Sequence, residues 1–162
     1  MTWLLQHQTH RELSTFLARL AAANRATATL PPADLHLWTD GSVAANGYGG
    51  AGFALLIRDK LRPSQAHSVG QGVAELRTEA EALRLGLQAV LDLQDYSTFQ
   101  PFQGIRVLTD SQSLVRRLAS GPARQSDSTC STIWTHLSAA SVQNTVNVQW
   151  IPAHVGRKRP SR

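Results

Sequence analysis

Apolar residues recur at three- and four-residue intervals between residues 12 and 23, the spacing that places side chains on one face of a helix. Pro31 and Pro32 follow this segment, and neither residue can continue a helix. We therefore expect an N-terminal helix and linker over residues 1–33 and the start of the main domain at residue 34.

Large apolar and β-branched residues cluster between turn residues in five places, which predicts strands at 35–39, 52–57, 66–69, 105–109 and 146–151. The third of these is the weakest, because its residues are mostly polar. Asn46 and Gly47 lie between the first two strands, which are therefore expected to form a hairpin.

Helical periodicity returns in three segments after the predicted hairpin. The first is about 78–93, the second starts at Asp110-Ser111 and ends before Gly121-Pro122, and the third is roughly 128–141. The order of elements is helix, linker, three strands, helix, strand, two helices and strand. Such an order predicts an α/β domain in which a five-stranded mixed sheet, part antiparallel meander and part parallel crossover, is flanked by helices.

The composition limits the class of protein. With 162 residues and 42% hydrophobic content, the chain suits one domain with one core. It contains neither an apolar run of about 20 residues nor a signal-peptide pattern, so we expect a soluble intracellular protein, in nucleus or cytoplasm, without a membrane partner. Cys130 is the only cysteine, so a metal must be held by oxygen or imidazole. The oligomeric state is not indicated.

The formal net charge of +5 is concentrated at one end of the sequence. Arg157, Lys158, Arg159 and Arg162 lie in the last six residues, which we treat as a basic tail over 157–162. Such a tail suits contact with nucleic acid or a nuclear address, and it equally suits a solvated terminus.

Two aspartates follow predicted strands, and a glutamate lies at the start of the main predicted helix. If the strands ending at Asp40 and Asp110 are parallel neighbours, the two carboxylates lie side by side, and Glu79 can reach the same sheet edge. Taken singly, Asp40 also fits a turn residue and Asp110 a helix cap, and Glu79 competes with nearby helical glutamates. Three convergent carboxylates favour Mg²⁺ or Mn²⁺, and two such ions suit hydrolysis of a phosphodiester.

Five short motifs occur in an order that resembles a known family: "WTDGS", "GYGGAGFAL", "RTEAEAL", "VLTDSQSLV" and "WIPAHVG". They resemble ribonuclease H domains of the type found in reverse transcriptases and retrotransposons, and the resemblance covers Leu35 to about Gly156. The resemblance implies a ribonuclease H-like fold over 34–156. It also implies hydrolysis of the RNA strand of an RNA/DNA hybrid.

The resemblance also implies roles for individual residues. Asp40, Glu79 and Asp110 correspond to carboxylates that hold two Mg²⁺ ions, for which Mn²⁺ can substitute, and His154 corresponds to a catalytic loop histidine. A surface histidine without a role is the other interpretation of His154. Substrate contacts are implied for four residues: Gly41, Ser42, Ser111 and Gln112.

Two departures from the family pattern lead to an alternative. The sequence after His154 reads "VGRKRPSR", so the last helix and its fourth aspartate are expected to be missing, as in a truncated retrotransposon-derived fragment with reduced activity. Glu75 and Leu76 also lie where relatives often carry Asn or Gln. The alternative is a catalytically inactive, hybrid-binding or vestigial domain, and a transposase or integrase on the same fold fits less well.

Overall fold

The structure is a computed structural model that describes residues 32–58, 60–95 and 101–152. The predicted N-terminal helix, His154, the basic tail and the region expected to lack a last helix all lie outside these ranges. The elements of the described part are, in chain order, β1 (Leu35–Val43), β2 (Tyr48–Ile57), β3 (Lys60–Leu61), β4 (Gln65–Gln71), α1 (Glu75–Asp95), β5 (Gly104–Thr109), α2 (Gln112–Ala119), a short 3₁₀-helix (Pro122–Arg124), α3 (Ser128–Ser141) and β6 (Thr145–Trp150).

A mixed sheet forms the centre of the domain, as the sequence predicted. β1 pairs with β2 in antiparallel fashion and with β5 in parallel, and β5 pairs in parallel with β6. β3 and β4 both pair with the outer side of β2. The antiparallel meander and the parallel crossovers therefore meet at β1, which lies inside the sheet.

The described sheet has six strands where the sequence predicted five. Lys60 belongs to the short strand β3, which lies between the second and third predicted strands, where no strand was predicted. The chain reverses at Arg58, whose φ of 47° is left-handed, so the next residues return beside the end of β2. Pro63, which has no N–H to donate, then interrupts the pairing before β4 begins. The registers of β3 and β4 on β2 differ by one residue, as at a β-bulge.

The hairpin of β1 and β2 is longer than its apolar residues indicated. Pairing continues to Val43 opposite Gly49, because a glycine-rich strand can maintain backbone hydrogen bonds without large side chains. The turn closes through an Ala44 N–H to Tyr48 carbonyl hydrogen bond of 2.8 Å, and Gly47 has the left-handed φ of 83° that such a turn favours. Asp40 therefore lies within β1 and is not a turn residue.

The three described α-helices share one core with one face of the sheet. Side chains of α1, α2 and α3 pack in a single apolar cluster with the inward-facing residues of β1, β2 and β5. Gly86 brings α1 close to β1, since a Cβ atom at this position would lie 2.6 Å from a methyl carbon of Leu37. A smaller cluster of Trp38, Leu108 and Ile151 lies apart from this core.

The helix boundaries follow the predicted ones closely. α3 has the predicted span, and its first N–H groups, those of Thr129 and Cys130, donate to the carboxylate of Asp127 at 2.7 and 3.1 Å. α1 begins at Glu75, three residues before its apolar periodicity becomes visible in the sequence. No helix of the described part is both long enough and apolar enough to cross a membrane.

Leu87 tests the packing of α1 on the sheet. Its side chain is fully buried in the main cluster, so Leu87→Ala should lower the free energy of unfolding by about 2–5 kcal/mol through lost contacts and a residual cavity. Gln88→Ala, at the adjacent exposed position, should change it by about 0.5 kcal/mol or less. Denaturant unfolding measures both, and equal effects of the two substitutions would contradict the described packing.

Candidate metal centre

The parallel pairing of β1 with β5 places two aspartates side by side. The paired residues end with Thr39 opposite Thr109, and Asp40 and Asp110 are the next residues on the two chains. The backbone around Asp110 is held from β6, because the Trp150 indole N–H donates to the Asp110 carbonyl at 3.1 Å. The juxtaposition that the sequence predicted for these two carboxylates is therefore present.

Glu79 approaches the same edge from α1, one turn further into the helix than expected because α1 begins at Glu75. The contact depends on Gly41, since a Cβ atom there would lie 2.5 Å from the Thr78 carbonyl carbon and would overlap the Glu79 nitrogen. The Gly41 N–H donates a hydrogen bond to the Glu79 carboxylate. The absence of a side chain at Gly41 thus allows the helix and strand backbones to meet.

The three side chains form one cluster. Each of Asp40, Glu79 and Asp110 offers a carboxylate oxygen that lies within 4.8 Å of the other two. Glu79 is 5% exposed, Asp110 is half-buried and Asp40 is exposed, so the cluster runs from the protein interior to solvent. It lines an open cleft of about 560 Å³.

Burial and repulsion act together on Glu79. The pKa of the Glu79 carboxyl is raised from 4.5 to about 8. Burial is the main cause, the charges of Asp110 and Asp40 act in the same direction, and the hydrogen bond from the Gly41 N–H opposes the shift. The Oε2 atom of Glu79 is buried and has no hydrogen-bond partner among the described residues. A bound cation would both satisfy this oxygen and remove the repulsion, so the residues present fit a divalent metal with oxygen ligands.

The structure separates Glu79 from its competitors. Glu81 is engaged elsewhere: one carboxylate oxygen lies 2.8 Å from an Arg84 nitrogen, and the other accepts a hydrogen bond of 3.0 Å from the Thr129 hydroxyl. These contacts tie α1 to α3. The cap of α2 is Ser111, whose hydroxyl oxygen accepts from the Leu114 N–H at 3.3 Å. Asp110 is therefore not the cap of that helix.

The residues predicted to contact substrate are distributed unevenly around the cleft. Gly41, Ser111 and Gln112 line it, whereas Ser42 is an exposed residue of β1 outside the cleft lining. His154 lies outside the described residues. Three further residues of the lining were not predicted to contact substrate: Glu75, Leu76 and Ser113. A signal for Glu75 was available, since it precedes Glu79 by one helical turn and so shares its face.

Comparison with known proteins gives one family. A family model described as RNase H matches residues 32–160. Among solved structures, an RNase H1 from the halophilic archaeon Halobacterium salinarum is 20% identical with a TM-score of 0.53, covering 74% of this chain and 86% of that one. An N-terminal RNase H domain from Mycobacterium tuberculosis, in a fusion with maltose binding protein, is 20% identical with a TM-score of 0.55, covering 75% and 84%. A search of curated proteins finds no match.

Gly41→Ala tests the close approach of α1 to β1. The new methyl group would overlap backbone atoms of Thr78 and Glu79, which cannot rotate away as a side chain would, so we expect a loss of about 1–3 kcal/mol in stability and a weaker affinity for Mn²⁺. Gly50→Ala is the matched control, since its nearest atom would lie at an ordinary 3.7 Å. Thermal unfolding and Mn²⁺ titration measure the two effects. Equal behaviour of both variants would refute the contact.

The pH dependence of stability tests the burial of Glu79. Without metal, the folded protein retains the Glu79 proton up to a pKa of about 8, whereas the unfolded chain releases it near 4.5. The contribution of this group to stability is therefore fully present below about pH 4.5 and lost as the pH rises through 8.

In EDTA, the melting temperature should accordingly fall between pH 5.5 and pH 9, and Glu79→Gln should reduce this fall. Asp95→Asn, at the exposed last residue of α1, should leave it unchanged. Both variants keep the other titrating groups of the protein, so a difference between their pH profiles is due to Glu79. A wild-type profile identical to that of Glu79→Gln would contradict the electrostatic description.

Proposed function

Because the chain belongs to the RNase H family, whose members are nucleases that act on RNA/DNA hybrids, we propose that it is a metal-dependent endonuclease that hydrolyses the RNA strand of such hybrids. The observation that carries the proposal is the convergence of Asp40, Glu79 and Asp110 within 4.8 Å at the mouth of an open cleft. The cleft is open to solvent, as a site for a long nucleic acid must be.

Divalent cations are the cofactors that suit this cluster, and we propose Mg²⁺ with Mn²⁺ as a substitute, held by Asp40, Glu79 and Asp110. When bound, such ions supply activation of the attacking water and stabilisation of the leaving oxygen. The protein contributes rigidity. The Gly41 N–H orients the Glu79 carboxylate, and the Trp150 indole holds the backbone of Asp110.

Substrate contacts are proposed for the residues beside the carboxylates. Gly41 and Gln112 line the cleft, and the Ser111 hydroxyl, whose oxygen already accepts from Leu114, retains a hydrogen to donate to a phosphate oxygen. Ser42 lies next along β1 from Gly41 and is exposed, which suits a contact with the strand as it leaves the cleft. For His154, the proposed role is catalytic and rests on the sequence motif alone.

We also propose that the domain is of the reverse transcriptase and retrotransposon type. The support is the order and wording of the motifs from "WTDGS" to "WIPAHVG". On this proposal the natural substrate is the hybrid formed when an RNA is copied into DNA. The catalytically inactive, hybrid-binding alternative differs only in turnover, so one experiment separates the two.

The test is cleavage of a labelled RNA/DNA hybrid by the purified chain in Mg²⁺ and in Mn²⁺. Asp40→Asn and Asp110→Asn should each lower the rate at least about 100-fold, because a bound metal ion lowers the barrier by several kcal/mol and about 1.4 kcal/mol corresponds to a factor of ten. Asp92→Asn removes an equal charge from an exposed site outside the cleft and should leave the rate unchanged.

The outcomes separate the candidate functions. Cleavage of the RNA strand alone, abolished by EDTA and by Asp40→Asn, would support the nuclease. Hybrid binding that weakens with salt, without cleavage in either metal by a folded sample, would favour the inactive domain. Cleavage that survives Asp40→Asn would contradict the assignment of the centre.

A further inference from the structure

A fourth carboxylate lines the cleft of the candidate metal centre. Glu75 begins α1 and precedes Glu79 by four residues, so the two side chains project from the same face of the helix. Both line the cleft, which is also lined by Asp110 and Asp40. The shared cleft lining places the two carboxylates near each other, and the charge of Glu75 is among the causes that raise the pKa of Glu79. The cleft therefore contains more negative charge than its three clustered carboxylates supply.

Glu75 differs from Glu81, the third glutamate of α1, which does not line the cleft. Glu81 is held by Arg84 and Thr129, and these contacts account for its position. Among the described residues, no ion pair engages Glu75, whose backbone carbonyl accepts a hydrogen bond from Thr78 while its side chain is exposed. An acidic residue in the first turn also stabilises a helix through its interaction with the helix dipole. That interaction does not require the side chain to line the cleft.

A second feature points to a cation at this place. Glu79 is 5% exposed, it lines the cleft, and its Oε2 has no hydrogen-bond partner among the described residues. Hydrolysis at phosphorus by paired cations needs two ions about 3.5–4 Å apart, each with several oxygen ligands. Three ionised carboxylates leave one positive charge of such a pair uncompensated. A fourth carboxylate on the α1 side neutralises it.

We propose that Glu75 supplies the fourth carboxylate ligand of the centre and holds a second divalent cation on the α1 side of the cleft, together with Glu79. This inference rests on the proposed metal-dependent function. It assigns to the first turn of α1 a chemical role in addition to its structural one.

The test is the stoichiometry of Mn²⁺ binding by the whole chain, measured by calorimetry and by electron paramagnetic resonance in the absence of nucleic acid. The wild-type protein should bind two ions. Glu75→Gln should weaken one of them at least about tenfold and leave the other nearly unchanged, because a neutral amide is a much poorer ligand for this ion. Asp92→Asn, on the same helix but outside the cleft, should retain both ions.

The selectivity of the effect distinguishes ligation from general electrostatics. Loss of a distant charge would weaken both ions to similar degrees, and that result would overturn the inference, as would an unchanged Glu75→Gln profile. Thermal unfolding confirms that each variant is folded. A wild-type protein that binds no Mn²⁺ would refute the proposed metal centre itself, whereas hybrid cleavage with a single ion, unaffected by Glu75→Gln, would refute only the role of Glu75.

Discussion

The parallel pairing of β1 with β5 is the constraint on which the site depends. Parallel neighbours bring equivalent strand ends to one edge of a sheet, and here the residue after the last pair is an aspartate on both strands. Asp40 remains on that edge because β1 continues beyond it along β2. A shift of one residue between β1 and β5 would turn one carboxylate to the opposite face. The register of two buried strands therefore fixes the distance between two solvent-facing acids.

The third acid is positioned by helix packing. α1 lies against β1 at two glycines on opposite sides of the contact, Gly41 on the strand and Gly86 on the helix. These two close contacts hold the N-terminal half of α1 near the sheet. Glu79 is buried as a consequence, and its pKa is raised mainly by this burial and further by the charges of Asp110 and Asp40. The packing that stabilises the fold thus buries a carboxylate beside two others, and a bound metal ion would neutralise their charges.

Sequence patterns predicted most of the helices and strands and the three clustered acids. They were less informative about the ends of the hairpin strands and about the sixth strand. The hairpin was predicted too short because apolar alternation stops at Thr39, whereas backbone pairing continues through glycines that carry no such signal. The short strand β3 was missed because its two residues are too few to show the alternation of apolar and polar residues that is typical of a strand. Glu79 could be chosen over Glu81 only by motif, since both lie on a helix rich in glutamate. One of the two partners that occupy Glu81 is Thr129, which belongs to α3 and lies far along the chain.

The long separation of β1 and β5 along the chain has a kinetic consequence. The hairpin of β1 and β2 and the helix α1 are local structures, whereas β5 joins β1 across 70 residues, as the hydrogen bond between Asp34 and Gly104 shows. Contacts of this separation carry a large loop-closure entropy and form slowly. Asp110 therefore reaches Asp40 and Glu79 only after β5 has docked. A cation that requires all three carboxylates would therefore stabilise only the chain in which β1 and β5 are paired, and not the separate hairpin or helix.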